Sequence, residues 1–313
     1  MKKLSVVAPV FNEQETVSEL VSRIFNTFKN LRGWEGDIVI VDDGSRDETF
    51  LKLTDLSNKN PNLSVVSFSR NFGHQAAVTA GIDHAKGDVI IVMDGDLQDP
   101  PELIPELLQK HEEGFDVVYA VRTKRKEGIL KRSAYSIFYR ILKLFSNHVP
   151  MPRDAGDFSL ISRRVAEVMK SMPERNRFVR GLRAWAGFSQ VGILYQRDQR
   201  YGGKPKYSFL KLLRLAYDGI FSFSYVPITL VTIAGFISSF ISFVGIVYVL
   251  YFRFVEGREV PGFAALAIFV LFFGGVQLMA LGILGEYIRR VYDEVKQRPH
   301  YVVSQVLGLV SKK

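Results

Sequence analysis

Apolar residues recur along the first two hundred positions in short runs separated by polar segments of helix length. "LSVVAPVF" (4–11), "DIVIVDDG" (37–44), "LSVVSFS" (63–69), "DVIIVMDGD" (88–96) and "DVVYAV" (116–121) are rich in Val and Ile. Near-continuous apolar strands alternating with helices predict an α/β domain whose parallel-rich sheet is covered on both faces. The pattern then changes. Val226–Phe252 and Phe263–Gly285 hold no charged residue until Arg253 and Glu286, and at about 1.5 Å per residue either run crosses roughly 30 Å of hydrocarbon. Joined by the short polar stretch "RFVEGREVPG", they predict a membrane hairpin behind a head of residues 1–199, with a linker at 200–225 and a tail at 286–313.

Charge sharpens this picture. The 313 residues carry 41 Lys and Arg against 32 Asp and Glu, a formal net charge of +9. Arg200, Lys204, Lys206, Lys211 and Arg214 precede the first run, and Arg289, Arg290, Lys296, Arg298, Lys312 and Lys313 follow the second. The loop between has only Arg253 and Arg258, so the positive-inside rule puts head and both termini in the cytoplasm, at an inner or plasma membrane. "MKKLSVVAPVFNEQE" has too short an apolar core for a signal peptide. Segments 129–149 and 207–223 place apolar residues at helical spacing among Lys and Arg, the pattern of helices lying in the bilayer interface. The chain has no Cys, which excludes disulfides, thiolate metal sites and cysteine nucleophiles. No zinc spacing, RNP-like aromatic pair or basic recognition helix supports nucleic-acid binding.

The predicted strands end in polar residues: Asn12 and Glu13, Asp42 and Asp43, Ser69 to Asn71, Asp94 and Asp96. Ligands of such sheets sit beyond the C-terminal strand ends. Neither GxGxxG nor GxxxxGK[ST] is present, which argues against a dinucleotide fold and a P-loop. "GSRDET" (44–49) predicts a turn into a helix capped by Asp47 or Ser45. In "VMDGDLQDPPE", Asp94 and Asp96 flank Gly95 at a strand tip, where like charges are tolerated beside a hard cation. Mg²⁺ or Mn²⁺ there would neutralise a diphosphate. Asp99 is a third ligand or a cap for a helix near Pro101, and Gln98 joins it as a further candidate. "RDAGDF" (153–158) lies outside the strand pattern; Asp157 is read as a base or as an acceptor-positioning residue. Among five histidines only His74, at a strand-to-helix junction, is a candidate. The Gly-rich "RYGGKPKYS" (200–208) offers Arg200, Lys204 and Lys206 to diphosphate or lipid phosphate, and Arg153 is a further basic candidate.

Together "APVFNE" (8–13), "VDDGSRDET" (41–49), "RNFGHQAAVTAGI" (70–82), "MDGDLQDPPE" (93–102), "RDAGDF" and "RYGGKPKYS" resemble the inverting GT-A glycosyltransferases of family 2. More narrowly they are similar to the polyprenyl-phosphate glycosyltransferases, which include bacterial bactoprenol glucosyltransferases and dolichyl-phosphate mannose synthases. The resemblance implies a Rossmann-like nucleotide-diphospho-sugar transferase head. It implies a nucleotide-sugar donor bound by Pro9, Phe11, Asn12, Glu13, Asp42, Asp43 and Asp94, and a metal held by Asp94 and Asp96. It assigns catalysis or acceptor positioning to Asp157, with Asp96, and phosphate contacts to Arg200 and Lys206. The implied reaction is inverting transfer, from UDP-glucose by subgroup, to undecaprenyl or a similar polyprenyl phosphate among membrane lipids. GDP-mannose, UDP-N-acetylglucosamine and modified UDP-pentoses are alternative donors. The family also implies a homo-oligomer, such as a tetramer, for which "FFGG" (272–275) and "ALGILG" (280–285) supply small residues. The competing readings are a processive polysaccharide synthase, whose QxxRW-type motif is not found, and a noncatalytic nucleotide-sensing membrane partner.

Overall fold

The computed structural model describes residues 1–122, 155–175, 177–196, 226–255 and 262–308. Strand β1 (Lys2–Val10) leads through helix α1 (Val17–Lys29) to β2 (Trp34–Asp42), and α2 (Thr49–Lys59), β3 (Leu63–Phe68), α3 (His74–His84) and β4 (Val89–Val92) continue the alternation. A 3₁₀ turn at Pro101–Leu103 opens α4 (Ile104–Glu112), followed by β5 (Val117–Arg122). Then come β6 (Ala155–Ser162), α5 (Arg163–Ser171), α6 (Val179–Trp185) and β7 (Gln190–Tyr195). Two long helices, α7 (Val226–Phe254) and α8 (Phe263–Val295), precede a last strand, β8 (Val303–Leu307).

Among the described residues, eight strands join one sheet, in the order β7-β5-β6-β4-β1-β2-β3-β8. Pairings β1–β2, β1–β4, β2–β3 and β5–β7 are parallel, while β6 runs against β4 and β5, and β8 against β3. The five strands predicted from the apolar runs are all present, and β4 stops at Val92, leaving Asp94 and Asp96 beyond its end. Three strands were not predicted. "RDAGDF", placed outside the strand pattern, contributes Asp157 and Phe158 to β6, between β4 and β5. The supposed tail, 286–313, contains the last turns of α8 and the sheet-edge strand β8.

Burial explains the layers. Val6, Val7, Ile38, Val39, Ile40, Val65, Ile90 and Ile91 are fully buried on both faces of the central strands. Helix α1 turns Val17, Leu20, Val21 and Ile24 inward, an i, i+3, i+4, i+7 stripe. Burying each such side chain contributes about 1.5–3 kcal/mol. Helix α3 lies so close to the sheet that a Cβ on Gly81 would stand 2.1 Å from Val7 Cγ1.

By contact the chain divides into Met1–Leu212 with Arg298–Lys313, and Leu213–Gln297. Considered by itself, the second unit holds α7 and α8. Phe236, Ile237, Ile241 and Phe243 are exposed around the axis of α7, and Leu278, Met279 and Leu281 are exposed on α8. A helix that is apolar all round and not buried suits lipid better than water. Among the described residues, Val226–Tyr248 is the one stretch found long and apolar enough to cross a membrane. The segments 129–149 and 207–223 lie outside the described residues.

Candidate active site

The C-terminal ends of β1, β2 and β4 and the start of α3 bring the predicted polar residues together. Beyond β1, Asn12 takes a left-handed backbone, φ 52°, and its side-chain oxygen accepts the Arg46 N–H at 2.9 Å. The Asn12 N–H donates in turn to Ser45 Oγ at 2.9 Å, so the first two strand-end loops are laced together. Pro9 is buried in β1, Phe11 is half-buried, and Glu13 Oε2 accepts from Thr16 Oγ1 at 3.1 Å at the entry to α1.

Asp42 and Asp43, read as nucleotide contacts, are both buried and both hold the protein's own groups. Asp42 accepts the Ser45 N–H at 3.0 Å and the Ser67 hydroxyl at 2.9 Å. Asp43 accepts the N–H groups of Phe72 at 2.7 Å and of Gly73 at 3.0 Å, which would otherwise be orphan donors before α3. Burial raises the Asp43 carboxyl above the usual range, against the lowering effect of those N–H groups. Its geometry is that of a brace for the loop that presents His74.

His74, Asp94 and Asp157 form the centre of the site. His74 Nε2 lies 3.2 Å from Asp157 Oδ2 and 3.7 Å from Asp94 Oδ1. Arg180, on α6, grips Asp157 from the other side, with Nε 2.7 Å from Oδ1 and a terminal nitrogen 3.0 Å from Oδ2. Burial opposes ionisation of Asp157, but the charge of Arg180 and the hydrogen bonds from His74 and Arg180 outweigh it and hold the carboxyl well below its usual range. Burial likewise opposes the His74 cation, yet the hydrogen bond to Asp157 and the charges of Asp157 and Asp94 push its pKa up to about 9. The His74 side chain is 42% exposed, so solvent tempers the burial penalty and the two carboxylates decide the direction.

Two carboxylate oxygens and the imidazole nitrogen of this trio all lie within 4.8 Å of one another, a set that fits a divalent cation once His74 has lost its proton, the carboxylates suiting Mg²⁺ or Mn²⁺. Asp96 stands outside the trio, its Oδ1 accepting the Gln98 N–H at 3.2 Å. Between the two aspartates, Gly95 packs against β1: a Cβ there would lie 2.6 Å from the Pro9 carbonyl oxygen. Leu97 follows in a left-handed conformation, φ 59°, although it is fully buried. Such a backbone costs about 1–3 kcal/mol and persists where packing fixes it.

Several readings change. Asp99 caps no helix: it is buried, accepts the Tyr195 hydroxyl at 2.6 Å, and receives the Asp94 N–H at 3.4 Å. It therefore braces the acidic loop against β7. The cap before α2 is neither Ser45 nor Asp47 in position; Asp47 instead accepts the Thr49 N–H and hydroxyl at 3.0 and 2.5 Å. Arg180 was missed, although "VRGLRAW" carries Arg180 and Arg183 three residues apart on one helical face. Arg183 is buried behind it, and desolvation lowers its pKa to about 10, leaving it charged at neutral pH. Arg153, Arg200, Lys204 and Lys206 lie outside the described residues.

The fold and site together define an α/β protein whose sheet carries an acidic, cation-compatible cluster at its strand ends. The family model for Glycosyl transferase family 2 matches residues 5–169, and the chain belongs to that family. It is 42% identical to the uncharacterized glycosyltransferase YkcC of Bacillus subtilis over 99% of this chain and 95% of that protein. It is 40% identical to the prophage bactoprenol glucosyl transferase homolog of Escherichia coli over 97% of this chain and 99% of the relative. The bactoprenol glucosyl transferase of Shigella phage SfII is also 40% identical, over 97% of this chain and 98% of its own.

Proposed function

We propose that the chain transfers glucose from UDP-glucose to undecaprenyl phosphate, or a related polyprenyl phosphate, at the cytoplasmic face of a membrane. The observation that carries this reading is the end-to-end similarity to relatives named bactoprenol glucosyl transferase. The site chemistry supports it. Asp94 and Asp96 would hold the divalent cation, joined by His74 once it gives up its proton, and the bound cation would neutralise the diphosphate. A lipid phosphate oxygen forms a bond to the anomeric carbon as the bond from that carbon to the diphosphate breaks, inverting the sugar and releasing UDP. The attacking phosphate is already an anion, so no strong base is needed. Asp157, fixed by Arg180 and His74, orients the acceptor and stabilises positive character at the sugar carbon. Arg153, Arg200, Lys204 and Lys206 are the proposed phosphate contacts.

An acceptor this apolar does not leave the bilayer cheaply, so the enzyme must bring the water-soluble donor to it. The proposed anchor is a hairpin of α7 and α8. Chain connectivity supports a second crossing in addition to Val226–Tyr248: β5, β6 and β7 precede the helices and β8 follows them, yet all belong to one sheet. An even number of crossings is needed to return the chain to the side it left. The Lys and Arg bias at both ends supports a cytoplasmic head. Gly274, Gly275, Gly282 and Gly285 have open space where a Cβ would stand, which suits close helix contact in the homo-oligomer that we also propose. Incubating full-length protein with radiolabelled UDP-glucose, a divalent cation and undecaprenyl phosphate tests the reaction. Label extracted with the lipid is the expected result, and its absence from a folded protein contradicts the proposal.

A further inference from the structure

The sheet edge contributed by the last strand opens onto a polar cavity that the acidic trio does not line. This cavity, 360 Å³, lies at the ends of β2 and β3, where Asp42, Ser67, Ser69 and Arg70 meet Ser304 and Gln305 of β8. Hydroxyls, the amides of Asn71 and Gln305, the Asp42 carboxylate and the guanidiniums of Arg46 and Arg70 offer both donors and acceptors, and Phe50 and Phe68 add apolar surface. A pure anion site would not include a carboxylate. The mixture suits a flat heterocycle with N–H and C=O groups along its edge.

β8 is seated by specific contacts. Register runs Val65 to Leu307, Val66 to Val306 and Ser67 to Gln305, then skips so that Phe68 faces Val303. Ser304 is thereby the extra residue of a bulge, a device that re-aims a side chain next to a binding site. The Ser69 N–H donates to the Val302 carbonyl at 3.0 Å, continuing the pairing past the strand. The Tyr301 ring stacks on Phe68 at 5.0 Å, and its hydroxyl donates to Asp83 at 2.9 Å. At the other end Gly308 takes φ +84°, and a Cβ there would lie 2.4 Å from the Leu63 carbonyl oxygen. Opposite Gln305, Ser67 holds Asp42 in place.

We infer that Gln305, with Ser304, reads the nucleobase edge of the donor, so that a strand encoded after the apolar helices completes the donor site. This inference rests on the nucleotide-sugar reading above. It places a determinant of donor selectivity in the segment that composition marks as a basic tail. Asp42 and Arg70 form the opposite part of the same wall. The sugar and the diphosphate belong to the acidic trio instead, so base recognition and phosphate recognition separate on the chain.

Calorimetric titration of full-length protein in detergent, with a divalent cation present, distinguishes the two parts by using UDP, GDP and inorganic pyrophosphate as probes. In Gln305→Ala the UDP dissociation constant rises about tenfold, as expected for one or two lost hydrogen bonds, and the preference between UDP and GDP narrows. In Ser304→Trp, which fills the cavity from an exposed position, UDP binding falls to the level of pyrophosphate. Pyrophosphate binding changes by less than about twofold in both variants, which also reports that the site is folded. Unchanged UDP affinity in both variants, or equal losses for UDP and pyrophosphate, overturns the inference while leaving the nucleotide-sugar reading intact. A wild-type chain that binds UDP and GDP no better than pyrophosphate overturns both, and is told apart because it needs no variant.

Discussion

Asp157 is the residue on which the site depends most, because a buried carboxylate held between Arg180 and His74 has no solvent to fall back on. Removing the Arg180 side chain leaves that charge half-compensated; Arg180→Ala is expected to destabilise the α/β unit by about 2 kcal/mol, read as a shift of its denaturant midpoint. His74 reports the same coupling. An NMR titration of the wild-type protein is expected to put the imidazole near pH 9, and in Asp157→Asn the value should fall, because the hydrogen bond and charge that raise it are gone. Stability follows from both groups. Asp157, lowered in the fold, contributes fully above its ordinary 3.8 and loses that contribution as pH falls below it. His74, raised in the fold, contributes fully below its ordinary 6.5 and loses that contribution as pH rises through about 9. A plot of melting temperature against pH should therefore fall on both sides of this window, and Asp157→Asn should flatten both flanks.

At the scale of elements, the acidic loop works because β1 and β7 brace it from two sides. Gly95→Ala would set a Cβ 2.6 Å from the Pro9 carbonyl oxygen and 2.7 Å from Val10 Cγ1, and backbone cannot yield as a side chain can. The substitution is expected to cost about 1–3 kcal/mol and to reduce cation affinity, both measurable by calorimetry. What the sequence made legible follows the same logic. The strands β1 to β5 announced themselves because both of their faces are buried, giving runs such as "VIIV" that no exposed segment would carry. β6 was hidden because Asp157 interrupts its apolar alternation, and the groups that compensate the charge come from positions 74 and 180. β8 was hidden for another reason: "VSQVL" is half exposed and follows two long apolar helices, so nothing local says that it returns to the sheet. Asp94 and His74 were legible as candidates, since each sits where an apolar run or a glycine turn ends. Arg180 was not, because its role exists only through the long-range packing of α6.

For the whole molecule, the return of the chain to its own sheet is the fact with the widest consequence. It ties the apolar helices into a closed excursion, and it predicts sidedness. In this cysteine-free chain, Asp55→Cys in the head and Glu256→Cys between the helices can be labelled separately with a membrane-impermeant maleimide. Sealed right-side-out vesicles should label Glu256→Cys and spare Asp55→Cys until they are permeabilised; equal labelling of both sites contradicts a hairpin. On the proposed function, a head held at the membrane surface would bring an acidic strand-end site to chemistry between a soluble donor and a lipid. The most direct test is the transfer reaction itself, run with radiolabelled UDP-glucose and undecaprenyl phosphate on wild-type protein and on Asp94→Asn. Label should enter the lipid with wild type, vanish on chelation, and fall roughly a hundredfold or more in Asp94→Asn. Transfer that survives both chelation and Asp94→Asn, or no transfer from a folded protein that binds UDP, would contradict the account.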